Sequence, residues 1–377
     1  MKTEGFCAPQ FEPVRDALVA NFSAGNEVGA SVAVTKDGLP VVDLWAGEAV
    51  KGGAAWERDT IVNVYSTTKT MAALCVLMLA DRGVVDLNAP VARYWPEFAQ
   101  NGKDGVLVRH VMSHSAGLSG FDPPLTNVSD VYDREAIVRR LAAQKPWWPP
   151  GDGAGYHAIT QGFLQGEIVR RVTGKTLGTF FREEVAQPLG ADFHIGLAPE
   201  HDARVAELVP PPVGLDATPG DPASIGVRTL KSCPLTGYEP RTSGWRRAEI
   251  PAAGGVGNAR SGARVHSLLA CGGAVDGVRL LSEAGVRRAL EEQTNGIDRV
   301  MNAPLRFGMG FGLPSISMQL SPNPNVIYWG GWGGSFAIID LDARVSIAYV
   351  MNRMDPDMLS DLRGALIVRA AYQALAA

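Results

Sequence analysis

Two β-rich blocks stand near opposite ends of this chain, and the stretch between them reads mostly as helix and loop. Val28–Thr35 and Leu39–Trp45 are runs of β-branched and apolar residues parted by Lys36-Asp37-Gly38, the composition of a hairpin turn. Val326–Trp329, Phe336–Leu341 and Val345–Met351 repeat the pattern near the other end, with Asp342-Ala343-Arg344 as a second hairpin turn. Hairpins join antiparallel neighbours, whereas parallel strands need long crossovers. The expected architecture is therefore α/β in the α+β sense: one mainly antiparallel sheet drawn from both termini, flanked by helices and interrupted by a helical lobe.

The helical readings fill in that plan. Phe11, Val14, Leu18, Val19 and Phe22 form a helical stripe over Phe11–Phe22. A strongly apolar helix is expected over Ser66–Arg82, stopped by Gly83, a residue free to adopt positive φ. From Asp86 to Gly196 the pattern is mainly helical, with one helix over Ile159–Val172 ended at Thr173-Gly174. Ala263–Leu269 and Leu359–Ala376 read as helices near the end. Val205–Ile250 is proline-rich without clear periodicity, and is expected to be an irregular insertion over a cleft. Residues 1–85 and 250–377 are thus assigned to an α/β domain. Residues 86–249 are assigned to a helical domain that includes the insertion at 205–249.

Composition narrows the function. The net charge is −4 and 46% of residues are hydrophobic, so neither disorder, a nucleic-acid surface nor a polybasic membrane patch is indicated. The longest apolar run, Met71–Ala80, is far short of the ~20 residues that span a bilayer. Met1–Gln10 has no apolar core of a secretory signal, so a soluble cytoplasmic protein is expected. Cys7, Cys75, Cys233 and Cys271 are scattered without paired spacing, which gives no zinc site and no disulfide framework. Neither a metal nor a cofactor is expected.

Tyr65-Ser66-Thr67-Thr68-Lys69 stands where a loop meets the apolar helix. Residues three apart on a helix share a face, so Ser66 and Lys69 can meet. The helix start also surrounds Ser66 with free N–H groups and a positive dipole end. A serine hydroxyl is a weak nucleophile until a base takes its proton, and a lysine serves as that base once burial lowers its pKa. The four-residue pattern is weak alone, and its bland alternative is an N-cap serine followed by a solvated lysine. Ser66 is, however, the one serine followed three places later by lysine.

The chain resembles the serine β-lactamase-like superfamily, and within it the family VIII carboxylesterases, over nearly its whole length. Ser66-Thr67-Thr68-Lys69 is similar to the nucleophile motif. Trp95-Pro96-Glu97-Phe98, Asn101-Gly102-Lys103 and His114-Ser115-Ala116-Gly117-Leu118 resemble framework segments that follow it. Gly151–Tyr156 with His157-Ala158 resembles the tyrosine-bearing segment. Pro251-Ala252-Ala253-Gly254-Gly255 and Trp329-Gly330-Gly331-Trp332-Gly333-Gly334-Ser335 resemble the late glycine-rich elements. The resemblance implies a second catalytic group, Tyr156, and an oxyanion hole from the N–H groups of Ser66 and Trp332. A tyrosine beside a lysine ammonium can lose its proton below its free pKa of ~10.

Two departures from the β-lactamase pattern shape the substrate. The strand triplet is Trp329-Gly330-Gly331, without the cation or hydroxyl of Lys-Thr-Gly or His-Thr-Gly. Tyr156 is followed by His157-Ala158, without the asparagine usual at the second place. Losing one partner of a charged ligand group costs ~1.5–3 kcal/mol. The expectation is a serine carboxylesterase acting on small short-chain acyl esters through an acyl-enzyme on Ser66, with weak β-lactam hydrolysis left open. Trp329, Gly330 and Gly331 are the candidate substrate-binding residues. Trp147, Trp148, Phe121 and Tyr132 either add apolar surface around the cleft or belong to the core. A β-lactamase, a D-amino-acid or short-amide hydrolase, an acyltransferase and a slow-turnover penicillin-binding-like sensor are the alternatives within the same fold. His114 is expected to be structural, because no Gly-x-Ser-x-Gly elbow supports a Ser-His-Asp triad.

Overall fold

The strand-rich blocks do pair across the length of the chain. In the computed structural model, which describes residues 2–359 and 361–377, six strands form one sheet. They are β1 (Glu4–Cys7), β2 (Gly29–Lys36), β3 (Leu39–Gly47), β4 (Val326–Gly330), β5 (Phe336–Asp340) and β6 (Val345–Met351). Their spatial order is β1-β3-β2-β6-β5-β4, and every pairing is antiparallel. The join between the two ends of the chain is β2 against β6, with Ala33 opposite Ala348 and Val34 opposite Ile347. β6 begins and ends where β-branched alternation predicts, whereas β1 was not foreseen.

Helices cover both faces of this sheet. Gly262 on α5 (Ala259–Ala270) lies against Ala348, and Gly364 on α6 (Leu362–Ala376) lies against the ring of Phe336. Phe336 pairs with Tyr349, the neighbour of Ala348, and successive strand residues point to opposite faces. The two helices therefore sit on opposite sides, with α1 (Glu12–Ser23) packed beside α6. Covering both faces explains why β2 and β6 are buried almost throughout and carry near-continuous apolar runs. The predicted terminal helix begins at Leu362, not Leu359. Ser360 and Met1, which fall within the predicted segments, lie outside the described residues.

The buried helix α2 runs from Thr68 to Asp81, and every residue from Thr68 to Ala80 is buried. A helix apolar on all sides has to be enclosed, here by α4 (Thr160–Thr173) and its neighbours; α3 is Arg134–Ala143. Gly83 ends α2 at φ +72°, as expected. The predicted start is corrected: Ser66 lies in a 3₁₀ turn, Tyr65–Thr67, just before the α-helix. That turn is anchored by a small three-stranded sheet in which Val62–Asn63 and Phe193–Ile195 flank Gly255–Gly257.

The proline-rich stretch is also corrected. It is not without structure, because Ile225–Lys231 and Ser243–Arg247 are short helices capped by Ser224 and Thr242. Trp245 is fully buried and packs on Tyr65 with ring centroids 6.1 Å apart. Among the described residues, no helix is long and apolar enough to cross a membrane.

Candidate active site

Ser66 owes its position to a strained residue. Tyr65 has φ +41°, a left-handed conformation that costs a non-glycine residue of order 1–3 kcal/mol and persists only where packing enforces it. The enforcement is visible: the Tyr65 ring is buried between Trp245 and the edge of Trp332, 5.0 Å away. The Tyr65 N–H donates to Asn63 Oδ1 at 3.2 Å and its carbonyl accepts from Thr68 Oγ1 at 2.5 Å. Thr68 Oγ1 in turn accepts from the Gly255 N–H at 2.8 Å, which ties the turn to the small sheet.

Lys69, one helical turn on, points its amine back at Ser66. Nζ lies 3.0 Å from Ser66 Oγ and 3.1 Å from the Tyr156 hydroxyl, and it donates to the carbonyls of Ala158 at 2.7 Å and Ala252 at 2.9 Å. The Tyr156 hydroxyl also contacts Ser66 Oγ directly, so the three polar groups close a triangle. The Tyr156 backbone is fixed from two sides. Its N–H donates to Asp298 Oδ1 at 3.2 Å, and the flanking Gly155 and His157 N–H groups donate to the carbonyl and Nδ1 of His114 at 3.0 Å.

Burial sets the protonation states. It alone holds the Lys69 ammonium well below the ordinary lysine range. Burial likewise pushes the Tyr156 phenol up, against a smaller lowering by the Ser66 hydroxyl. Burial thus pulls both groups toward their uncharged forms, a neutral amine beside a neutral phenol, in opposition to the lowering of the phenol that a neighbouring ammonium brings. A neutral amine has two N–H groups and one lone pair. The carbonyls of Ala158 and Ala252 engage the two N–H groups, which leaves the lone pair for Ser66 and Tyr156. Such an arrangement can take a proton from the serine and return it nearby.

The glycine-rich strand end abuts the serine turn. Ser335 Oγ donates to the Val64 carbonyl at 2.8 Å and lies 2.9 Å from Thr67 Oγ1. A Cβ on Gly331 would stand 2.2 Å from the Val64 oxygen, so only glycine permits this approach. Gly331 and Ser335 close a tight turn (N–H to carbonyl 2.7 Å) that carries Trp332 beside Tyr65. Trp329 stacks on His114 at 5.2 Å and lies 6.1 Å from the Tyr156 ring, and Gly330 follows it at the strand end opposite Phe336. The triplet itself carries no cationic or hydroxyl side chain.

Of the two alternatives for the flanking aromatics, the core holds for most. Phe121 is buried in the main core, Tyr132 packs by Gly244, and Trp147 lies under the Arg228 guanidinium. Trp148 lies behind the tyrosine segment, against Gly155 and edge-on to His157 at 5.9 Å. His114 is close to the site, with φ +60°, yet its Nε2 has no hydrogen-bond partner among the described residues. It is held neutral by burial, with His157 and Lys69 adding to the effect. His157 donates from Nδ1 to the Gly155 carbonyl at 2.6 Å and accepts the Leu118 N–H on Nε2 at 3.1 Å, a bridge across the wall of the site. Among the described residues, no three His, Cys, Asp or Glu side chains group to hold a metal ion.

The family model named Beta-lactamase matches residues 15–372. This chain belongs to the beta-lactamase family. It is 36% identical to the esterase/beta-lactamase LipL of Mycobacterium tuberculosis over 98% of its own length and 89% of that protein. The crystal structure of a family VIII carboxylesterase superposes with a TM-score of 0.93 at 42% identity, covering 99% of this chain and 100% of that one. A penicillin-binding protein homologue from Caulobacter crescentus follows at TM-score 0.92 and 38% identity, covering 99% and 100%. The family resemblance read from the motifs is thus shown, and so is the beta-lactamase-like fold.

Proposed function

We propose that this protein is a serine carboxylesterase that hydrolyses small-molecule esters through an acyl-enzyme on Ser66, without a cofactor. The observation that carries the reading is the closed triangle of Ser66 Oγ, Lys69 Nζ and the Tyr156 hydroxyl in a buried pocket. The Ser66 proton passes to the Lys69–Tyr156 pair as Oγ attacks the ester carbonyl. The developing oxyanion turns to the N–H groups of Ser66 and Trp332, the electrostatic arrangement on which acyl transfer depends most. Tyr156 then gives a proton to the leaving alcohol, and Lys69 resupplies Tyr156. Water activated by the same pair releases the acid. The likeness to esterases supports the substrate class.

Trp329-Gly330-Gly331 supports esters over β-lactams. Trp329 is packed among Ala154, Tyr156, Leu305 and Phe307, and neither it nor the glycines supply a cation for a ligand carboxylate. The test is turnover of p-nitrophenyl butyrate beside nitrocefin. Efficient ester turnover with slow nitrocefin hydrolysis is expected, and a Ser66→Ala protein that still cleaves the ester at the parent rate refutes the mechanism.

A further inference from the structure

Outside the Ser66–Lys69–Tyr156 triangle, one buried carboxylate reaches the backbone of a triangle member. Asp298 is only 1% exposed and follows the strand Thr294–Ile297, which pairs antiparallel with Pro304–Phe307. Its Oδ1 accepts three N–H groups: those of Val300 and Met301 in its own loop, each at 2.8 Å, and that of Tyr156 at 3.2 Å. Its Oδ2 is buried without a hydrogen-bond partner among the described residues. Next to it, the Arg299 N–H donates to the Ala154 carbonyl at 3.0 Å and the Arg299 guanidinium meets the Asp152 carboxylate at 3.2 Å. The loop after Ile297 is thus stitched to every second residue from Asp152 to Tyr156. The same hairpin gives Met301, Leu305 and Phe307 to the wall of a cavity of about 340 Å³ that Tyr156 and Trp329 also line and that continues around β4.

Resting on the reading of Tyr156 as proton donor to the leaving alcohol, we propose that Asp298 is a positioning residue, which through Oδ1 sets where the Tyr156 hydroxyl stands and so how fast the alcohol departs. Proton transfer needs that hydroxyl within ~2.6–3.2 Å of the leaving oxygen. Tyr156 borders the cavity, so one flank of it lacks protein packing, and its place depends on how firmly its backbone is held. A misplacement of about 1 Å can cost ~10²-fold in rate. A carboxylate can also act by charge: burial first, and then the Asp298 charge, pushes the Tyr156 phenol up. The bond pattern favours position. All three N–H groups fall on a single oxygen, and an amide carbonyl offers the same acceptor without the charge.

Three variants separate position from charge. Asp298→Asn keeps an oxygen for the N–H groups and removes the charge; Asp298→Glu keeps the charge and shifts the oxygen by a methylene; Asp298→Ala removes both. Steady-state kcat and KM are measured on ethyl acetate, whose alkoxide needs a proton, and on p-nitrophenyl acetate, whose phenolate leaves without one. Thermal melts verify folding, and Tyr156→Phe is the reference for a lost proton donor. The Asn protein should stay within about threefold of the parent on both esters. The Glu and Ala proteins should lose at least about tenfold more kcat on ethyl acetate than on p-nitrophenyl acetate, with KM little changed. If the Ala protein does not fold, the Glu protein carries the comparison. An Asn protein as slow as the Glu protein, or equal losses on the two esters where Tyr156→Phe shows the contrast, overturns the role of Asp298 and leaves the esterase reading intact. A Tyr156→Phe protein without the contrast, or a parent that turns over neither ester, overturns the underlying reading and the positioning role with it.

Discussion

Replacing Tyr156 by Phe tests the division of labour inside the triangle. The ring is retained, so its packing on His114 (5.3 Å) and Trp329 (6.1 Å) survives. Only the hydroxyl is lost, and stability should change by no more than about 1 kcal/mol. Removing a positioned acid or base usually costs roughly 10²–10⁴-fold in rate. Lys69 Nζ still lies 3.0 Å from Ser66 Oγ, so the basic half of the role has a direct substitute. The acidic half has none, because Lys69 is held back by its bonds to Ala158 and Ala252. p-Nitrophenolate leaves without needing a proton, whereas an alkoxide does not. The expected loss in kcat is therefore about ten- to a hundredfold on p-nitrophenyl acetate and about 10³–10⁴-fold on ethyl acetate. Steady-state kinetics on both esters, with thermal melts to verify folding, decide the matter. Equal losses on the two substrates refute Tyr156 as the proton donor to the alcohol.

Three further outcomes follow from the charges and contacts around the site. Because burial depresses the Lys69 ammonium, kcat/KM should rise with pH along a limb set below the ordinary lysine range, and a Lys69→Met protein should lose that limb with most of its activity. Burial holds His157 to about 4 against an ordinary 6.5, so between those values the unfolded chain binds the extra proton. Stability then falls as pH drops from 6.5 through 4, by ~3 kcal/mol for this residue; pH-dependent melts of His157→Gln should show a shallower slope. Arg363, almost fully buried, donates to the Gly333 carbonyl at 2.8 Å, to the Arg353 carbonyl at 2.7 Å and to the Asp361 and Glu27 carboxylates. Arg363→Met should cost ~3–5 kcal/mol by leaving Glu27 without its cation. Below the melting range it should also lower kcat far more than it alters KM, because Gly333 directly follows the Trp332 N–H.

Much of the framework was legible because its signals are local. The β-branched alternation of Val345–Met351 and the turn at Asp342-Ala343-Arg344 specify a hairpin within a short window, and Gly83 marks a helix end by itself. The three-residue spacing of Ser66 and Lys69 projects both onto one helical face, which local geometry suffices to reveal. β1 carried no such signal: Glu4-Gly5-Phe6-Cys7 is short and mostly exposed, and it is ordered by pairing with Val42–Trp45. The helices Ile225–Lys231 and Ser243–Arg247 span two turns or fewer, too little for a period to emerge.

The chemistry was less legible than the fold, for a different reason. The acceptors that aim the Lys69 amine are the carbonyls of Ala158 and Ala252, and every residue has a carbonyl, so nothing in the side-chain sequence marks those two. Protonation depends on burial, which depends on everything packed around the group. An adjacent lysine and tyrosine allow an ammonium–phenolate pair on paper, whereas full enclosure pulls each group toward its uncharged form. The cavity beyond Tyr156 is the extreme case. Residues 301–320, 328–338 and 357–368 each contribute part of its wall, around strands that pair antiparallel in one register. Motifs around a nucleophile can therefore identify the reaction class. The shape of the cavity around β4 is set instead by how separate segments meet there, and substitutions in its wall should alter selectivity without touching the motif.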